Sequence, residues 1–240
     1  YISSMLAQIE RGNYYSEKVT GIPGGILLPV GAGPLGVETT RRTPFMDTYY
    51  YDWIKSGNIE DEGMFWGQKS NSAYAVVNMS MQFYHTWDEA YTRKVYPFVK
   101  GVAPFWENYL TREGDRYVIY NDAIHEGTVG TMNPILSLGL VRMVMQTVSD
   151  MSALLGVDEE KRTQWQFIEE HLPDYPLQER NGKTVFRYTE KGCDWWDGNT
   201  LGIQHIYPAG QIGLNSDPKL LEVAYNTVDE MQRWLDSNGS

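Results

Sequence analysis

Residues 134–156 read PILSLGLVRMVMQTVSDMSALLG, and this stretch decides the fold class. Leu138, Val141, Met145, Val148 and Leu155 recur at steps of three, four, three and seven, the spacing of one face of a helix. Pro134 suits a first turn, where a missing N–H costs nothing, and Gly156 suits the left-handed residue that stops a helix. A long amphipathic helix is therefore expected from about Pro134 to Leu155.

Working outward, the same period recurs on both sides. Upstream, Ala73, Val76, Val77, Met81 and Tyr84 make one stripe. Val95, Phe98, Val99, Val102, Trp106, Tyr109 and Leu110 make a second. Pro97 and Pro104 interrupt that second stripe, which predicts a kink or a restart near Tyr96. Downstream, Asp158 is placed to cap a helix with Trp165 and Ile168 facing inward and Pro173 ending it. A last helix is expected to open at Ser216-Asp217-Pro218 and to present Leu220, Leu221, Ala224, Val228, Met231 and Leu235 on one face. Short helices are expected over Tyr1 to Glu10 and part of Asp47 to Lys55. One hairpin is signalled, because Asn181-Gly182 in LQERNGKTVFRY lies between two β-compatible runs as a type I′ turn requires. The expected fold is mainly α: stacked helical hairpins, a bundle or a helical toroid, with long loops gathered on one side.

Composition narrows the partners. A chain of 240 residues with 42% hydrophobic side chains can bury a sizeable core. Its net charge of −11 repels phosphate backbones and anionic lipid, so neither nucleic acid nor a membrane surface is an expected partner. No apolar run is long enough to span a membrane. The single cysteine, Cys193, rules out an internal disulfide and a multi-cysteine zinc site. His85, His125, His171 and His205 are widely scattered, so no metal site and no cofactor are expected. No Gly-x-Gly-x-x-Gly, Walker loop, heptad series or short repeat occurs. The chain opens without methionine inside an apparent helix, YISSMLAQIERG, which leads to the expectation of a piece of a larger polypeptide.

Four loops are long, glycine-rich and aromatic: residues 21–40, 60–71, 121–133 and 193–213. Loops of that length in a compact domain usually carry function. Aromatic rings with polar tips suit flat, uncharged, hydroxylated ligands such as sugars, although such rings also pack under loops. Two of the loops offer carboxylates among aromatics: Glu126 in YVIYNDAIHEGTVG (117–130), and Asp194 or Asp197 in CDWWDGN (193–199). Glycosidic hydrolysis needs an acid to protonate the leaving oxygen and, with inversion, a second carboxylate to activate water from the opposite face. A ring-lined pocket raises a carboxyl pKa and so keeps the proton on such an acid. The serines lack a nucleophile elbow. Cys193 reads as a buried thiol, His85 and His171 as packing residues, and the Asn78-Met79-Ser80 sequon falls inside a helical stripe.

Several motifs, taken in order, resemble the catalytic domain of glycoside hydrolase family 95, which includes α-L-fucosidases and α-L-galactosidases. GMFWGQKSNSAYAVVNMSMQFYHTWDEAY looks like that family's Trp-bearing loop and following helix, and VYPFVKGVAPFWENYL is similar to its YPLLK…A-x-FF…L helix. LLGVDEEK resembles its leucine-glycine turn, and HIYPAGQIGLNSDPKLLEVAYNTVDEM its L-Y-P-G-x-Q-I segment with the helix after it. The likeness runs from about Gly63 to Gly239.

The resemblance implies an (α/α)6 toroid of twelve helices with its active site at the loop-rich end, of which residues 1–240 form an incomplete part of one catalytic domain. It also implies that YVIYNDAIHEG stands where the family carries its general acid, so that Glu126 is that acid. The family's His-Arg-His-x-Ser-His segment is replaced here by DGNTLGIQHIYP. Asp197 is then the nearest candidate base, with Asp194 behind it. Trp66, His125, Trp195, Trp196, Asn199, Gln204 and His205 are the expected sugar contacts. The implied activity is removal of a terminal sugar, an α-L-fucoside or α-galactoside, from an oligo- or polysaccharide by inversion, outside the cell or in the periplasm. The alternative is a non-catalytic carbohydrate-binding or scaffold protein on the same toroid.

Overall fold

The computed structural model describes residues 1–29, 67–124, 128 and 130–238. Seven α-helices are found among the described residues: α1 (Ile2–Leu6), α2 (Ile9–Thr20), α3 (Asn71–Thr86), α4 (Glu89–Tyr109), α5 (Ile135–Leu155), α6 (Glu159–His171) and α7 (Pro218–Asn238). The expected helix within Asp47–Lys55 lies outside the described residues. At the amino end the expected Tyr1–Glu10 helix is two elements, and the second runs on to Thr20.

Two tight connections make two antiparallel hairpins, α3–α4 and α5–α6, and cross-links show how these stack. Ser80 on α3 lies 2.9 Å from Thr147 on α5, and Tyr84 donates to Asp150 at 2.8 Å. On the other layer, Tyr96 and Lys100 on α4 reach Asp158 at the start of α6 at 2.9 and 2.6 Å. One turn or more further along, Trp165 on α6 donates to Glu107 on α4 at 2.6 Å. Thus α3 runs beside α5 and α4 beside α6 in the same directions. Repeated hairpins in two layers are the arrangement of part of a helical toroid.

Helix α5 is the hub. Its apolar residues are buried around most of its circumference, as expected for a helix walled in by neighbours rather than facing water. Two of its buried hydroxyls are matched across to other segments: Thr147 to Ser80, and Ser137 to a buried carboxylate described below. Gly139 lets another segment approach, since a Cβ there would sit 2.7 Å from His205 Cβ and 2.8 Å from its Cα. Gly156 closes the helix in the left-handed region at φ 63°, as the sequence predicted.

Three local expectations are corrected. Helix α4 is continuous through Pro97 and Pro104, so the restart, one of the two outcomes expected near Tyr96, does not occur. The two prolines are seven residues apart, hence on one face, and Pro97 is exposed and Pro104 half-buried. The carbonyls they leave unpaired can be hydrated there, while Val95, Phe98, Val99, Val102 and Trp106 anchor the opposite face at 0% exposure. Secondly, Asp158 begins α6 in the left-handed region without a side-chain cap bond. Its carboxylate is taken by Tyr96 and Lys100, and the lysine hydrogen bond, partly opposed by burial, holds its pKa below the usual carboxylate range.

The third correction concerns α7, which is rotated from the face its apolar stripe suggested. Val223, Thr227 and Glu230 are buried, whereas Val228 is 48% exposed; the side chain of Leu235 lies outside the described residues. The cause is the hairpin that packs on the helix. Strands β4 (Leu177–Arg180) and β5 (Lys183–Phe186) pair antiparallel, with Arg180 opposite Lys183. Asn181 and Gly182 have φ of 50° and 76°, the two positive values that the predicted type I′ turn demands. The hairpin offers backbone and amide groups: Phe186 N donates to Thr227 Oγ1 at 2.9 Å, Asn226 donates to Thr184 O at 3.2 Å, and Asn181 bonds to Glu230. Matching those buried groups outweighs burying one more valine.

Two short ladders went unannounced by the sequence. Strands β1 (Thr111–Glu113) and β2 (Arg116–Val118) form a hairpin, and β3 (Met132–Pro134) pairs antiparallel with β6 (Thr189–Lys191). A short 3₁₀ turn covers Leu201–Ile203. The start of the 21–40 loop is core rather than surface: Ile26 and Leu27 are fully buried, and Ile26 N donates to Gly101 O at 2.9 Å. No described helix is long and apolar enough to cross a membrane.

Candidate active site

The β3–β6 ladder determines which loops meet. Met132 pairs with Lys191 and Pro134 with Thr189. In an antiparallel pair, the chain entering at Met132 and the chain leaving at Lys191 lie at the same end. The segment ending at Thr131 and the segment starting at Gly192 therefore emerge side by side, and a Cβ on Gly192 would come within 3.0–3.3 Å of Thr131. These are the feet of the two loops that hold the candidate carboxylates.

The first foot is tied by several bonds. Asp122 and Thr131 exchange backbone hydrogen bonds of 3.1 and 2.8 Å, and Thr131 Oγ1 adds a third to Asp122 O at 2.9 Å. One step below, Asn133 N donates to Ile119 O at 2.9 Å while Asn133 Oδ1 accepts from Ile119 N at 2.8 Å. Asn133 Nδ2 then reaches Glu190 Oε2 at 2.6 Å, and Arg116 holds both Glu190 oxygens at 3.1 and 3.2 Å. Asn133 thus links β2, β3 and β6. Asn133 and the Arg116 guanidinium keep the Glu190 carboxyl below its ordinary pKa although burial opposes them.

The carboxylate of Asp122 sits at the centre of this foot with no solvent exposure. Its Oδ1 accepts from Lys69 N and Ala123 N, each at 2.8 Å, and its Oδ2 meets Ser137 Oγ at 2.6 Å. Burial pushes its pKa up, against the pull of Ser137 and Lys69. Through Lys69 N the carboxylate also fixes the end of the 60–71 loop, three residues beyond Trp66. Three of the four long loops are therefore joined at their bases. Nothing in the sequence singled out Asp122, Asn133, Glu190 or Arg116. An aspartate four residues before Glu126 was visible, but its partners are 53 and 15 residues away.

The second foot leads into CDWWDGN. Tyr188 and Trp195 rings lie 5.0 Å apart, and the Arg180 guanidinium sits 4.5 Å from the Trp195 ring centroid. Trp195 Nε1 donates to Asp197 Oδ1 at 2.8 Å, with Arg180 3.9 Å from the same oxygen. Asp197 is half exposed, at 52% of its side chain, so it is both held and reachable. Asp194 differs, because its carboxylate is ion-paired with Arg187. Cys193 is a free, half-buried thiol whose pKa burial raises.

The other expected contacts divide. Trp196 is half-buried, and its carbonyl accepts from Tyr188 Oη at 3.4 Å. The Asn199 side chain accepts from Leu201 N at 2.9 Å, opening the 3₁₀ turn, while its carbonyl accepts from Tyr188 Oη at 2.9 Å. Gln204 is half-buried. His205 is fully buried, with its ring 4.3 Å from Phe186 and 4.4 Å from Tyr175. Burial, and secondarily the Arg142 charge, lowers its pKa to about 3. In place of an expected sugar contact, the structure shows a neutral core ring. Trp66, His125 and Glu126 lie outside the described residues.

A convergence of loops at one end of paired helical hairpins, one of them presenting a tethered, accessible aspartate among tryptophans, fits a site for a neutral polar ligand. No curated protein matches the chain. The sequence model of the glycosyl hydrolase family 95 catalytic domain matches residues 45–238, starting ahead of the Gly63 segment and running through every motif that carried the resemblance. With well over half of its 240 residues matched, the chain belongs to the glycosyl hydrolase family 95 catalytic domains.

Proposed function

We propose that the chain forms part of an (α/α)6 catalytic domain that removes a terminal sugar, an α-L-fucoside or α-galactoside, with inversion at the anomeric carbon. Glu126 protonates the leaving oxygen and Asp197 draws a proton from the attacking water. Trp66, Trp195 and Trp196 offer sugar-facing rings, and His125, Asn199 and Gln204 offer polar contacts. The observation that carries this reading is the junction of Thr131 with Gly192, which starts the two carboxylate-bearing loops from one place. Asp197 is preferred over Asp194 because the Trp195 indole N–H aims its carboxylate at 2.8 Å, with Arg180 only 3.9 Å away, whereas Arg187 holds Asp194 in a direct ion pair. Substrate would be met outside the cytoplasm, where polymeric glycans are degraded.

For inversion, the two carboxyl groups need a separation of about 6.5–9.5 Å, leaving room for water. Proton NMR of the first-formed anomer tests the assignment on fucosyl and galactosyl oligosaccharides. Inverted product is expected, together with a loss of about 10²- to 10⁴-fold in kcat for Glu126→Gln. Retained configuration, or an unimpaired Glu126→Gln protein, would reject it. One observation favours a second reading, a binding module without catalysis: the histidine-rich family segment is replaced by DGNTLGIQHIYP, and its one histidine, His205, is in the core. Glycan binding with no turnover on any aryl glycoside would decide for that reading.

A further inference from the structure

Asp122 is a buried ionisable group to which the hydrolytic reading assigns no chemistry. A carboxyl removed from water is costly unless its oxygens are hydrogen-bonded, and here three donors converge on it. Two of them, the amides of Lys69 and Ala123, share Oδ1 at 2.8 Å; the third, Ser137 Oγ, lies 2.6 Å from Oδ2. Each donor belongs to a different unit. Lys69 ends the Trp66 loop, Ala123 begins the loop that carries Glu126, and Ser137 lies in the first turn of the hub helix α5. The backbone of Asp122 closes the far side of the same loop through Thr131. No other described carboxylate joins two of the candidate loops to the helical layer.

We propose that Asp122 is a positioning residue: its carboxylate locks the base of the 123–130 loop to α5 and to the 67–70 segment, and so fixes where the loop presents its acid. The clamp is a property of described atoms, while its catalytic consequence rests on the assignment of Glu126 above. Ala at position 122 removes all three bonds. Asn keeps an oxygen for the two amides and can donate its NH₂ to Ser137 Oγ, so it preserves the geometry without the charge.

Two measurements on the full-length protein test this. Hydrogen exchange reads the clamp without reference to activity. In Asp122→Ala the amides of Lys69 and Ala123 should lose protection while those of mid-α5 keep it, and Asp122→Asn should restore protection. Unchanged protection at Lys69 and Ala123 in Asp122→Ala would overturn the proposal. The second measurement compares α-L-fucosyl fluoride, whose leaving group needs no proton, with an α-L-fucosyl disaccharide, whose leaving group does. Mispositioning of the acid predicts a kcat loss for Asp122→Ala at least about 10-fold larger on the disaccharide than on the fluoride, with Asn recovering most of it. Equal losses on both substrates would mean a merely structural residue and would also overturn the proposal. Absence of turnover of both probes by the unsubstituted protein would count against the hydrolase reading, and the exchange result would then decide the clamp alone.

Discussion

At the scale of single residues, two positions carry more than their sequence neighbourhood suggests. His205 occupies a site that demands a neutral ring. Its pKa falls from 6.5 to about 3, chiefly through burial and partly through Arg142, so the unfolded chain binds a proton that the folded chain refuses. Its contribution to stability is complete above 6.5 and is lost as pH falls toward 3. Urea unfolding at about pH 7 and about pH 4.5 should show a larger acid-induced loss in the parent than in His205→Leu; equal losses would mean that the ring is solvated. Gly139 makes the packing around that ring possible. Gly139→Ala should cost about 1–3 kcal/mol, read from the unfolding midpoint, because the new methyl meets the Cα and Cβ of His205 below 3 Å. Neither role could be read from the chain. His205 looks like a ligand in QHIYP because its surroundings, Tyr175, Phe186 and Gly139, come from three other segments.

At the scale of elements, periodicity was a good guide wherever apolar contact decides the outcome, and a poor one wherever a specific polar partner does. The stripes on α3, α4 and α5 turned inward as their spacing required, and Asn181-Gly182 made its turn because only positive φ fits there. Asp158 has the right type and place for a helix cap, yet the tyrosine and lysine of α4 compete for its carboxylate and win. Their bonds join the second helices of two hairpins, so they count at the level of packing between elements. A double-mutant cycle on Tyr96→Phe and Asp158→Ala should give a coupling of about 1 kcal/mol. Additive effects would indicate that the aspartate serves α6 alone. The proline-bearing helix and the rotated α7 follow the same logic. Backbone groups left without partners were tolerated where solvent could reach them, and buried ones selected Thr227 and Glu230 over the apolar stripe.

At the scale of the whole molecule, two stacked helical hairpins set the frame, and a three-residue ladder, β3 with β6, joins the loops that matter at one end. The 193–213 loop was legible from glycine and tryptophan placement, and the family from the order of its motifs. The joining of three loop bases was not, since it depends on Asp122, Asn133 and Glu190, whose partners are remote in sequence. The central claim is that two carboxylates, carried by loops rooted at Thr131 and Gly192, divide the work of acid and base. The pH dependence of kcat/KM on an α-L-fucosyl disaccharide tests it most directly, because an acid must be protonated and a base ionised. A bell-shaped profile is predicted, with its alkaline limb removed in Glu126→Gln and its acidic limb removed in Asp197→Asn. Both limbs persisting in either variant would contradict the account.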